Sequence, residues 1–75
     1  SNKEYQMMEM LMRNPGNVIQ TEQFLERIWG YDSDSEINVV WVNISYLRKK
    51  LKALDANVHI KATRNVGYTL EMSDV

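Results

Sequence analysis

The chain has 75 residues, nine Lys and Arg against ten Asp and Glu, a formal net charge of -1, one His and no Cys. That length holds one small domain, and 44% hydrophobic with 25% charged residues excludes a disordered, collagen-like or coiled-coil chain. Without cysteine there is neither a disulfide framework nor a thiolate zinc site, and a core below roughly 70–80 residues rarely supplies more than about 3–5 kcal/mol, so a marginal domain that needs a covering neighbour is expected.

Residues 1–13 read as a first helix. Ser1 and Glu4 have the spacing of a capping box, and Tyr5, Met8, Leu11 and Met12 fall on one stripe. Asn14-Pro15-Gly16-Asn17 ends it, because Pro15 disfavours helix in the residue before it and Gly16 accepts positive φ at low cost. Val18 and Ile19 are too short for an independent strand but suit pairing with a sheet edge. A second helix is expected from Thr21 as N-cap, with Glu22 in the first turn, to Gly30. Its inner face is Phe24, Leu25, Ile28 and Trp29. The polar run Tyr31 to Glu36 reads as a loop.

The third helix, about Ile37 to Leu54, carries the clearest period. Ile37, Val40, Ile44, Leu47, Leu51 and Leu54 recur at spacings 3, 4, 3, 4, 3, which predicts one buried stripe. At about 100° per residue, Asn38, Val39, Val42, Asn43, Ser45, Tyr46, Lys49 and Lys50 project outward, with Trp41 on the border. Beyond Asp55-Ala56-Asn57 the period becomes two. Val58, Ile60 and Ala62 alternate with His59, Lys61 and Thr63, then Tyr68, Leu70 and Met72 alternate with Thr69 and Glu71. Asn65 and Gly67 lie between the runs, so a hairpin with Arg64 at its tip is expected.

Charge follows this layout. Residues 1–45 hold three basic and seven acidic side chains, whereas residues 46–64 hold six basic and one acidic. A mainly α fold of three helices plus a C-terminal β-hairpin, with positive charge on the last helix and hairpin, is the layout of a winged helix-turn-helix. The outer side of the third helix then fits a DNA major groove, and Arg64 suits the negative potential of a narrow minor groove. Val42, and more weakly Val39, would meet thymine methyl groups; Asn43 would bond adenine; Lys49 and Lys50 would neutralise phosphate. Arg48 projects near the core border, where pairing with a carboxylate is expected. Trp29 reads as core, and Trp41 as a packing residue.

The segments Lys3-Glu4-Tyr5, Asn14-Pro15-Gly16, Ile28-Trp29-Gly30-Tyr31-Asp32, Ile44 to Leu51 and Thr63 to Tyr68, in this order, resemble the effector domain of OmpR/PhoB-type response regulators. The resemblance implies a sequence-specific transcription factor that binds double-stranded DNA as a dimer on direct repeats. A preceding receiver domain would be phosphorylated by a cognate sensor kinase. It implies that residues 1–75 are the winged-helix domain without the receiver and without the small antiparallel sheet with which such domains begin. The methionines of Met7–Met12 would then be core filler beneath that sheet. It also implies base reading through Asn38, Val42, Asn43, Tyr46 and Lys49, a wing arginine at Arg64, and an RNA polymerase surface at Tyr31 to Glu36. Asn38 and Tyr46 stand where basic residues are usual, Trp41 where Asp is usual, and Ala62 where a small hydroxyl residue is usual. Weaker binding by the isolated domain and a different target preference are expected from these departures.

Two other classes of function compete with DNA binding. Catalysis lacks its constellation, with no Cys nucleophile, one His and no Gly-rich phosphate loop. A winged helix that serves protein interaction after losing DNA binding is the alternative, supported by Asn38, Tyr46, Ala62 and the net charge. No metal, cofactor or membrane partner is expected, and the location expected is cytoplasmic.

Overall fold

The computed structural model describes residues 2–30 and 38–73. Ser1, the run Tyr31 to Glu36 and Ile37, singled out above, lie outside the described residues. Helix α1 spans Asn2–Arg13, strand β1 Ile19–Gln20, helix α2 Thr21–Phe24, helix α3 Asn38–Ala53, and strands β2 and β3 Val58–Thr63 and Gly67–Met72. From Leu25 to Trp29 the chain continues α2 as a π-helical turn.

Helix α1 buries a stripe other than the expected one. Glu4, Met7 and Leu11 point inward. Tyr5 and Met12 are 67% and 61% exposed, while Met8 and Met10 are half-buried against the core. Apolar side chains occupy several sides of α1, so periodicity alone could not choose among them. At its end, Asn14 Nδ2 donates to the Met10 carbonyl at 2.8 Å, and Gly16 takes φ +77. The Gly16 N–H donates to Leu70 O at 3.2 Å, tying the turn to β3.

Ile19 and Gln20 do find a sheet edge. The sheet has the order β1-β3-β2, antiparallel throughout, with Ile19 opposite Tyr68 and Ile60 opposite Leu70. Gly67 is required here by proximity, because a Cβ on it would collide with the backbone of Ile19 and Gln20. The residue with positive φ at the hairpin tip is Asn65, at +61.

The N-cap of α2 is Gln20, not Thr21, and its N–H donates to Gln23 Oε1 at 2.8 Å. The expected single α-helix is interrupted by the π turn, which Gly30 closes by donating its N–H to the Leu25 carbonyl five residues back at 2.8 Å. Phe24 is fully buried and lies against Tyr68 with ring centroids 6.5 Å apart. Trp29 sits at the rim of the core, with the Lys3 ammonium 5.2 Å from its ring centroid.

Met7, Leu11, Phe24, Val40 and Ile44 form the fully buried centre, enclosed by Ile19, Leu47, Ile60 and Leu70. The α3 stripe is therefore buried as expected through Leu47, and Leu51 packs at its margin. Leu54 lies beyond the helix end and is 77% exposed. The strand alternation also breaks down at its ends. Ala62 and Met72 are exposed, whereas Thr69 is buried on the central strand.

Candidate nucleic-acid interface

Three inward residues, Val40, Ile44 and Leu47, set the rotation of α3 about its axis. With about 100° per residue, the opposite side is a stripe of Asn38, Val42, Tyr46 and Lys49. Asn38, Tyr46 and Lys49 are exposed and Val42 is half-buried, so no other described element covers this side. Asn38 opens the helix, where recognition helices bring side chains to base edges.

Asn43 lies on the flank rather than at the crest. Its Nδ2 donates to the Val39 carbonyl at 2.7 Å, which occupies part of the two-point pattern an adenine contact needs. Val39 packs against the core and is withdrawn from the exposed stripe. Trp41 is 62% exposed, so it does not pack into the core of the domain.

The adjacent basic residues Arg48, Lys49 and Lys50 have three different surroundings. Lys49 is exposed on the outer stripe. Arg48 does not meet a carboxylate: Nε and Nη2 both donate to the Ile60 carbonyl, at 3.2 and 3.0 Å. This two-point bond fastens α3 to β2, so the hairpin lies beside the helix. Lys50 is exposed, as expected, but its ammonium is engaged. Its Nζ donates to Glu4 Oε2 on α1 at 2.5 Å, an ion pair that ties α3 to α1. The Glu4 side chain is 9% exposed and that of Lys50 59%. The Lys50 bond holds the Glu4 carboxyl below the usual glutamate range, against the opposing effect of burial.

Arg64 is exposed at the hairpin tip, within a turn that the Val66 N–H closes onto Thr63 O at 3.0 Å. An open cleft of about 530 Å³ separates the tip from the start of α2, with Gln20, Thr21, Arg64 and Val66 among its walls. His59, on the hairpin, faces Glu71 at 3.3 Å and Ser73 at 3.1 Å. Among the described residues no cluster of metal-ligating side chains occurs, and no helix is long and apolar enough to cross a membrane.

Glu4 and Arg48 are the site residues that sequence reasoning missed. Glu4 shares the i, i+3, i+7 spacing of Met7 and Leu11, and a carboxylate on a buried stripe calls for a cation. No comparable signal marks Arg48, because its acceptor is a main-chain carbonyl.

Residues 1–70 match the family described as "Transcriptional regulatory protein, C terminal". The chain is 45% identical over 71 residues to the transcriptional regulatory protein DltR of Streptococcus agalactiae, covering 95% of this chain and 32% of DltR. It is 46% identical over 67 residues to the response regulator ArlR of Staphylococcus aureus, covering 89% and 31% respectively. The chain thus spans about a third of the length of these curated relatives. Among solved structures, the DNA-binding domain of the response regulator AdeR, crystallised in complex with an intercistronic region, superposes with a TM-score of 0.81 at 25% identity, over 95% of this chain and 70% of that one.

Proposed function

The chain belongs to the family of C-terminal domains of transcriptional regulatory proteins, the winged-helix DNA-binding effector domains of response regulators, and from this premise we propose how it engages a duplex. Helix α3 enters the major groove with Asn38, Val42, Tyr46 and Lys49 toward the base edges, and Asn43 reads at the groove margin once its bond to Val39 opens. Val42 meets a thymine methyl, Asn38 bonds a base edge, and Lys49 neutralises phosphate. Arg64 enters the neighbouring minor groove, where a narrow A·T-rich segment concentrates negative potential. The Arg48 bond to Ile60 fixes the spacing between the two contacts. Lys50 is left out of this set because Glu4 holds it.

The observation that carries this reading is the uncovered stripe on α3 beside a hairpin that presents an exposed arginine. Two copies on a direct repeat, a receiver domain addressed by a sensor kinase, contact with RNA polymerase through Tyr31 to Glu36, and a cytoplasmic location complete the proposal. They are supported by similarity to response regulators alone. Selection of bound sites from a random duplex pool tests the reading: a defined motif with A·T preference at its flank is expected. Recovery of no enriched motif, with affinity independent of salt, would favour a protein-interaction role instead.

A further inference from the structure

The Glu4–Lys50 pair joins the helix proposed to read DNA to a buried carboxylate on the adjacent helix α1. Lys50 is displaced from the outer stripe of α3 toward α1, yet its side chain remains 59% exposed. A helix with side chains is about 10–12 Å across and the major groove about 12 Å wide, so the flanks of an inserted helix run along the phosphate walls. A lysine on such a flank is within side-chain reach of phosphate. Here that lysine has a competitor inside its own domain. The Glu4 side chain is largely shielded from water, so solvent competes little with Lys50 for its carboxylate. A phosphate outside offers Lys50 a contact screened by water and salt.

We infer that Glu4 is a positioning residue that retains the Lys50 ammonium and so keeps it from neutralising a DNA phosphate. The device lowers the sequence-independent part of affinity while leaving the base-reading stripe in place. A domain with six basic residues between positions 46 and 64 thereby presents less positive charge to a duplex than its composition suggests. The inference rests on the DNA-binding reading above, and the test separates the two.

The test is a salt titration of binding to a random-sequence duplex of about 20 base pairs, long enough for a few phosphate contacts. It compares the native chain with Lys50→Gln, Glu4→Gln, the double variant and Glu9→Gln as a charge-matched control on α1, each checked for native helix content. Lys50→Gln alone is expected to leave the slope of log affinity against log salt unchanged. Glu4→Gln is expected to steepen it by about 0.9, one additional phosphate, which is roughly a threefold greater loss of affinity between 50 and 200 mM salt. The double variant is expected to return to the native slope, and Glu9→Gln to stay there. A slope shallower by about 0.9 in Lys50→Gln would overturn the inference, since Lys50 would already be on phosphate. That arm decides the matter even if Glu4→Gln does not fold. A folded Glu4→Gln with native slope, or an equal steepening in Glu9→Gln, would also overturn it. Native protein with no salt-dependent binding defeats the DNA-binding reading itself.

Discussion

The outer stripe of α3 and the flank it turns toward α1 lie on one helix, and both carry basic residues, but they differ in what holds those residues. On the stripe, Lys49 stands exposed beside Asn38 and Tyr46. On the flank, the very next residue donates its ammonium to a buried carboxylate. A run of positive charge in a sequence is therefore not a run of positive charge offered to a partner. One helical step of 100° separates a residue available for recognition from one engaged in tertiary structure. The same contrast holds for Arg48, whose guanidinium binds a main-chain carbonyl and contributes position rather than contact.

Removing the framework that orients both sides has the largest expected effect. Ile44→Ala empties the centre of the buried stripe, and about 2–5 kcal/mol is the usual cost of such a truncation. In so small a domain this should abolish a cooperative thermal transition followed by circular dichroism, and with it any difference between stripe and flank. Gly67→Ala should come next, because its Cβ meets β1 backbone that cannot swing away as a side chain could. A loss of about 1–3 kcal/mol in denaturant unfolding is expected.

Substitutions on the recognition surfaces should spare stability and alter binding. Arg64→Ala should weaken binding to a selected site with A·T-rich flanks by about tenfold, or about 1.4 kcal/mol, with an unchanged melting temperature. An unchanged affinity would remove the hairpin tip from the mechanism. Asn38→Ala should relax preference at one base position by up to about 1–3 kcal/mol in a competition against single-base variants of the site. Asn43→Ala should do less, since part of its hydrogen-bonding capacity is already used by Val39. A larger effect at Asn43 than at Asn38 would show that the helix sits in the groove rotated toward α1.

The smallest effect is acid sensitivity of the flank. The Glu4 carboxyl titrates lower in the folded chain than unfolded, chiefly because of its bond to Lys50. Its contribution to stability is therefore present above the unfolded glutamate range, about 4.3, and is lost as pH falls through the lower folded value. Glu4→Gln should flatten this part of the stability–pH curve measured by thermal melting.

What could be read in advance follows from how much freedom each segment leaves. Val40, Ile44 and Leu47 belong to a 3, 4 spacing that runs from Ile37 to Leu54, so a single period explains them, and the rotation of α3 and the exposure of Asn38, Tyr46 and Lys49 follow. In α1, Tyr5, Met7, Met8, Leu11 and Met12 fit two stripes equally well. The stripe that is buried carries Glu4, whose partner Lys50 lies 46 positions away. Gly67 was legible only as part of a hairpin connection; that the position needs glycine comes from the close passage of β1, a contact between distant segments. The π turn is a matter of main-chain bonding, as in the Gly30 bond to Leu25, and no side-chain pattern announces it.

Titration of a selected duplex into isotopically labelled domain, followed by amide chemical shifts, tests the central claim most directly. The account predicts perturbations centred on Asn38, Val42, Tyr46, Lys49 and Arg64, with the exposed Tyr5 and Met12 side of α1 unaffected. Perturbations centred on Tyr5, Met8 and Met12, with α3 and the hairpin tip silent, would contradict it.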